Sequence, residues 1–447
     1  MADVAHHVDM DEGLVNAAIF SDPAIYRQEQ EKIFARSWLF LAHETQIPKP
    51  GDFFTTWMGG DPILVVRKRD GTVGAYLNAC RHRGMKVCRA DSGNAKAFTC
   101  TYHGWAYGMD GSLVNVPGLE DGYFNELDTS KNGLVPVTQL DHYKGLYFGN
   151  WDPTAPSLQE YLGDSTKFLD VMIDRREGGV EVLPGIHKWS FIGNWKLAAE
   201  QFAGDAYHGQ MSHASAAAAM FEVNPPSADE GAGNPFGNVV GYQYSDQWGH
   251  GTGFSFDPRG QLFPVFFASE VLTNYYRSTH AEQIERLGAP FGYHTSHNNI
   301  FPNLSYLMPQ NSLRVWHPRG PNAFEVWALT LVDKAAPPEV KEAQRIQSQL
   351  TFSAAGLYEQ DDGENWSQIG ENLGHGGTVI NSLKLNYQMG IGHHGPSEDY
   401  PGTIGNVLVG EEPQRAFYRR WVEMMESDQW PIPEGDCAPT PLAAGQQ

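Results

Sequence analysis

Cysteine is scarce: four in 447 residues, too few for a disulfide framework, with three of them (Cys80, Cys88, Cys100) crowded into one short stretch. Positive charge is also short. Lys and Arg total 31 against 53 Asp and Glu, and a net charge of −22 repels a phosphate backbone, so nucleic acid and anionic membrane surfaces are poor partners. No apolar run approaches the roughly 18 residues of a membrane helix. Residues 1–15 carry Asp3, Asp9, Asp11 and Glu12 with no basic start and no apolar stretch, which excludes a secretory signal there. No internal repeat is found. These absences predict a soluble cytoplasmic protein.

The length allows two or three domains, and 41% hydrophobic with only 19% charged residues points to large buried surfaces within or between subunits. Ser21-Asp22-Pro23 signals the start of a first helix running through Tyr26, Ile33 and Phe34. Short β runs follow (38–42, 53–58, 63–67, 73–77), with Asp70-Gly71 and Asp110-Gly111 as hairpin turns. This predicts an all-β domain over 38–156. From 157 the pattern mixes helix and strand: 189–211 is helical in its later part, Leu313–His317 and Phe324–Val332 flank a turn as a hairpin, and helices return at 338–350 and after Ser353. The second domain, α+β, therefore takes 157–447 together with 1–37, and 431–447 reads as a loose tail or subunit contact.

The chemistry concentrates at Cys80-Arg81-His82 and Cys100-Thr101-Tyr102-His103, where each loop offers one thiolate and one imidazole. Like can pair with like across the loops, two cysteines on one metal and two histidines on another, as a Rieske [2Fe-2S] cluster requires. Structural zinc is the alternative, but zinc modules usually place Cys-Cys before His-His, and this interleaved order fits them poorly. The motif Cys-x-His, 17 residues, Cys-x-x-His resembles that of the ring-hydroxylating oxygenases. Cys88 and Cys437 match no ligand position and read as ordinary thiols.

Activating O₂ calls for a redox metal with open positions, usually held by two histidines and a carboxylate. His208 and His213 lie five apart, about 500° of helix, so they are not the i, i+4 pair of zinc proteases, and one should sit at a helix end where Gly209 breaks the geometry. By themselves, two histidines at this spacing read more readily as ordinary polar residues. The run Glu200, Asp205, Tyr207, His208, His213 resembles the mononuclear iron motif of oxygenase α subunits, and 359–366 resembles their distant carboxylate segment. Periodicity leaves Asp361 and Asp362 equivalent; the resemblance points to Asp362. Asp205, three residues before His208, is expected on the same helical face, accepting the proton of the second imidazole nitrogen. The resemblance also makes it a bridge toward a Rieske histidine of a neighbouring copy, matching His103 of the partner subunit. For Glu200, a structural hydrogen bond and a supporting role both remain open.

Gln201, Phe202, Leu307, Phe352 and Tyr358 match positions lining the pocket of the naphthalene and biphenyl members, although without the resemblance each aromatic here reads more readily as core. None is an arginine that could clamp a carboxylate. The resemblance implies the large α subunit of a Rieske non-haem iron dioxygenase, with one [2Fe-2S] cluster held by Cys80, His82, Cys100 and His103 and one Fe(II) held by His208, His213 and Asp362. It further implies cis-dihydrodiol formation from a biphenyl, naphthalene or polycyclic substrate, a small β subunit and an α₃β₃ assembly. No Gly-rich dinucleotide fingerprint and no plant-type ferredoxin spacing occur, so electrons would arrive from NAD(P)H through a reductase and a ferredoxin. The rival readings are the same chemistry on an aromatic acid or amine, and a Rieske electron carrier or binding protein without catalytic iron.

Overall fold

The computed structural model describes residues 4–223, 240–257 and 269–433. Cys437 and the tail from 434 onward lie outside them. The chain forms two compact units, Phe34–Leu158 and the residues on either side of it.

Residues 34–158 fold into three small antiparallel sheets. One pairs Leu39–His43 with Leu146–Asn150 and the latter with Gln139–Tyr143. Another runs Val73–Leu77, Asp61–Arg67, Asp52–Met58, Ser92–Asn94, and the third Leu113–Asn115, Ala106–Gly108, Ala97–Thr99. The two Asp-Gly turns close by the same device. The Asp70 carboxylate accepts from the Thr72 N–H (3.0 Å) and hydroxyl (2.7 Å), and Asp110 does so with Ser112 (3.1 and 2.6 Å), each followed by a left-handed glycine. Phe53, Leu64, Val66, Phe98 and Tyr107 form a core that also contains Cys80 and Cys100.

The second unit is built on a ten-stranded antiparallel sheet. Its central path runs Ala323–Asp333, Ser312–Gly320, Leu304–Leu307, Thr295–Ile300, Gly251–Phe256, Val240–Ser245. The first helix, α1 (Pro23–Glu29), is capped by Asp22, whose carboxylate accepts from the Ala24 N–H at 2.6 Å, with Pro23 at the first turn; a π turn, Gln30–Phe34, continues it. Helix α2 (Trp195–Gly204) starts at Asn194, whose side chain accepts from the Lys196 N–H at 3.1 Å. It lies against strands 251–256 and 295–300 on one side and the last described helix on the other, so most of its residues are buried. Lys196 is buried with them because Glu29 of α1 pairs with it at 2.5 Å while the Trp195 and Trp421 indoles donate to the same carboxylate at 3.0 Å. Removing one partner of such a buried pair costs about 3–5 kcal/mol. Helices α3 (Pro338–Phe352), α4 (Leu357–Gly374) and α5 (Glu412–Glu426) complete the layer.

Glycine lets α4 approach the strand His187–Ile192: a Cβ on Gly363 would stand 2.2 Å from the Phe191 ring. Gly363 follows Asp362 directly, so this close approach fixes where that carboxylate sits.

Candidate metal centres and the adjoining cavity

Cys80 and Cys100 each open a loop of the same form. The Cys80 N–H donates to the Met85 carbonyl and its own carbonyl accepts from the Gly84 N–H, both at 2.8 Å; Cys100 repeats this with Trp105 and Gly104 at 2.8 and 2.9 Å. Gly84 and Gly104 take φ of 74° and 77°, the left-handed conformation that turns each loop. Both thiols are buried, and the Nδ1 atoms of His82 and His103 face each other at 3.1 Å, with Trp105 stacked on the His82 ring. Two buried thiols beside two converging imidazole nitrogens fit a [2Fe-2S] cluster with sulfur ligands on one iron and nitrogen ligands on the other. Tyr107 supports the sulfur side. Its oxygen accepts from the Arg81 N–H at 2.9 Å, leaving its proton for the Cys80 sulfur at 3.3 Å, and burial raises its pKa so that it stays a donor.

The second centre departs from the helical expectation. Helix α2 ends at Gly204, and Asp205 is its cap, with extended backbone (φ −76°, ψ 95°). Asp205 and His208 meet through a turn rather than on one helical face: one carboxylate oxygen accepts from the N–H groups of Tyr207 (2.8 Å) and His208 (3.1 Å), and the other faces His208 Nδ1 at 3.2 Å. The expected helix end beside Gly209 is there, and it takes both histidines: His208 and His213 cap the two ends of the four-residue helix Gly209–Ser212.

From there His208 Nε2 and His213 Nε2 stand 3.3 and 3.4 Å from Asp362 Oδ1, and the three ligand atoms lie within 4.8 Å of one another. That oxygen is buried and makes no hydrogen bond among the described residues. Two imidazoles and a carboxylate converging without satisfying one another fit a cation with open coordination positions. Burial works against charge on His208 while Asp205 and Asp362 favour it, and a bound cation would take the place of the proton on Nε2. Asp361, left equivalent to Asp362 by periodicity, faces His213 Nδ1 at 3.1 Å. The adjacent carboxylates thus divide the work, one facing the convergence point and one orienting a histidine from behind, as Asp205 orients the other.

Beside this point opens a cavity of about 650 Å³ whose lining includes Gln201, Phe202, Leu307, Phe352 and Tyr358. Phe352 and Tyr358 stack at 5.5 Å. No Lys or Arg lines it among the described residues. His297 does, and burial pushes its pKa down to about 4, so it stays neutral. Across Gln201, Asp205 and His208 lies a second cavity of about 500 Å³ with Glu200, Tyr387 and Glu411 in its wall. Glu200 stands away from the convergence point: the Tyr387 hydroxyl reaches both its oxygens, at 2.9 and 3.0 Å, and burial pushes it up to about 8.

Sequence reasoning weighed Asp361 only as an iron ligand and missed its place behind His213, and it missed His297, Trp366 and a buried clamp that holds Phe352 of the cavity wall. In the clamp Arg314 donates to Glu359 and to the Phe352 carbonyl, both at 2.6 Å, joining the end of α3 to the start of α4. An arginine among the apolar residues of Leu313–His317 was the available signal, because a buried guanidinium needs a partner.

Residues 37–137 match the Rieske [2Fe-2S] domain family, and residues 181–427 match the ring hydroxylating alpha subunit (catalytic domain) family. The chain is 46% identical over 445 residues to the biphenyl 2,3-dioxygenase subunit alpha of Rhodococcus jostii (strain RHA1), covering 96% of this chain and 92% of that one. It is 45% identical to a benzene 1,2-dioxygenase subunit alpha of Pseudomonas putida, covering 94% and 93%. Among solved structures, a naphthalene 1,2-dioxygenase mutant bound to phenanthrene superposes with a TM-score of 0.87 at 32% identity, covering 96% of each chain. Naphthalene 1,2-dioxygenase from Rhodococcus sp. bound to indole does so with 0.80 at 38% identity, covering 92% and 94%.

Proposed function

We infer the activity from one premise: the chain belongs to the α subunits of the ring-hydroxylating dioxygenases, with a Rieske [2Fe-2S] domain followed by the catalytic domain of non-haem iron oxygenases. It is the terminal oxygenase component that adds both atoms of O₂ to an aromatic hydrocarbon of the benzene, biphenyl or naphthalene class. Arene, O₂, NAD(P)H and one proton give the cis-dihydrodiol and NAD(P)⁺. Reductase and ferredoxin deliver the electrons, a small β subunit completes an α₃β₃ assembly, and the complex works in the cytoplasm.

Cys80, Cys100, His82 and His103 hold the cluster, and His208, His213 and Asp362 hold the iron. When bound, these groups supply the one-electron chemistry that lets triplet O₂ react with a closed-shell ring. The chain's own side chains do the rest. Asp205 and Asp361 fix the tautomers of the two imidazoles, keeping each Nε2 lone pair turned inward. Phe202, Leu307, Phe352 and Tyr358 exclude water and present an apolar ring to the site. Asp205 also borders the second cavity, which suits a bridge toward His103 of the partner subunit.

The observation that carries this reading is the convergence of two imidazoles and one carboxylate on the wall of a cavity that no Lys or Arg lines among the described residues. A carboxylated substrate would find no counter-ion there. Product analysis with a reconstituted electron-transfer chain, over arenes of one to four rings plus benzoate and aniline, tests it. The expected result is cis-dihydrodiols from the hydrocarbons and little from the acid or amine; preferred turnover of benzoate or aniline would contradict it.

A further inference from the structure

We propose that Gln201 presents its side-chain NH₂ to the open face of the mononuclear iron as a hydrogen-bond donor to an anionic ligand, and that Trp366 fixes the amide in that orientation. The proposal rests on the assignment of His208, His213 and Asp362 as iron ligands. Its first support is a donor count. The Trp366 indole N–H can only donate, and its partner 2.8 Å away is Gln201 Oε1. The other arm of the amide is therefore the NH₂ group, and it stands 3.4 Å from His208 Nε2, the nitrogen that faces Asp362. The indole is held in turn by Trp316 and Phe191, at 5.7 and 5.3 Å, and is almost wholly buried. The amide is not free to flip.

Place a cation on His208 Nε2 and that lone pair is taken. The Gln201 NH₂ then has no protein acceptor among the described residues. An amide nitrogen turned toward a cation is repelled by it; the arrangement becomes favourable only when a negatively charged ligand stands between them. Gln201 lines both cavities, so this donor lies in the wall between them, in surroundings of low dielectric where one fixed dipole counts for much. The reaction puts electrons onto oxygen at this place. A donor already in position stabilises the charge as it develops, with no reorganisation of its own.

Azide is a suitable anionic probe. With the holoenzyme fully oxidised, the Rieske cluster is EPR-silent and the high-spin ferric signal reports the mononuclear iron alone, so azide titration gives a dissociation constant without turnover. Gln201→Leu should weaken azide about tenfold, the scale of one hydrogen bond to a charged acceptor, with iron content unchanged. Trp366→Phe, which frees the amide to turn, should weaken it several-fold, and Gln201→Glu should weaken it most by placing a negative charge at the same point. Should Trp366→Phe fold poorly, the two Gln201 variants decide the matter by themselves. Azide affinity equal to the parent's in Gln201→Leu, with iron intact, overturns the proposal. Asp362→Ala separates this from the underlying assignment: loss of the ferric signal supports the ligand set, whereas an undiminished signal overturns that set and the proposal with it.

Discussion

His82 and His103 stand 21 residues apart, and the two loops that carry them repeat one backbone pattern, whereas 148 residues separate His213 from the Asp361 that orients it. The first centre is local. Its ligands, its left-handed glycines and its supporting Tyr107 come from one stretch of short strands. The second is assembled by tertiary packing, from a turn at the end of α2 and the second turn of α4, with α4 held in place by the close approach at Gly363 and by the Arg314–Glu359 clamp. A local centre should therefore fail by losing ligands, and a packed centre should fail also through residues that never touch the metal.

The largest effects break the two centres independently. Cys100→Ser should abolish the Rieske absorption and turnover; His213→Ala or Asp362→Ala should abolish turnover and lower iron by about one atom per chain while the Rieske spectrum stays. Iron loss that bleached the cluster in Asp362→Ala would contradict their separateness. Next comes Asp205→Ala, which should leave the cluster absorption and much of the iron in place while turnover falls by orders of magnitude, because the carboxylate 3.2 Å behind His208 Nδ1 is lost. Full activity in that variant would make Asp205 a simple helix cap.

The same contrast explains what could be read from the sequence. The proposed cluster ligands were legible as a group because spacing along the chain is spacing in space there, and the strand runs and both Asp-Gly hairpins appear within a residue or two of their expected bounds. Asp361 and Asp362 could not be told apart by period because the structure uses both, on opposite sides of one histidine. The Asp205–His208 pair was legible as a pair, yet its cause was not: three residues apart suits a helix face, but an aspartate that accepts from the N–H groups two and three residues on ends the helix instead. Trp366 and Arg314 stayed hidden because each acts through residues far away in sequence.

Smaller effects sharpen the picture of the packed centre. The folded chain keeps the Glu200 proton up to about pH 8, while the unfolded chain releases it at the ordinary glutamate value, so stability is full at low pH and falls as pH rises between the two. Glu359, pushed up to about 7 by burial, contributes with the same sign. Glu200→Gln should flatten this fall, narrowing the drop in Tm between pH 5.5 and pH 8 by about 2 °C or more. An unchanged slope would show Glu200 ionised in the folded state. Smallest in energy is Phe352→Val. One altered wall contact is worth about 1–3 kcal/mol, enough to redistribute the dihydrodiols from biphenyl or phenanthrene without abolishing reaction. An unchanged product ratio with lower Tm would make Phe352 core rather than pocket wall.

Iron and acid-labile sulfide counted on the same purified protein test the central claim that one chain carries two distinct centres. The ligand sets require about three irons and two sulfides per chain, falling to about two irons and two sulfides in Asp362→Ala. Two irons and two sulfides in the parent chain, or stoichiometric zinc without sulfide, would contradict it.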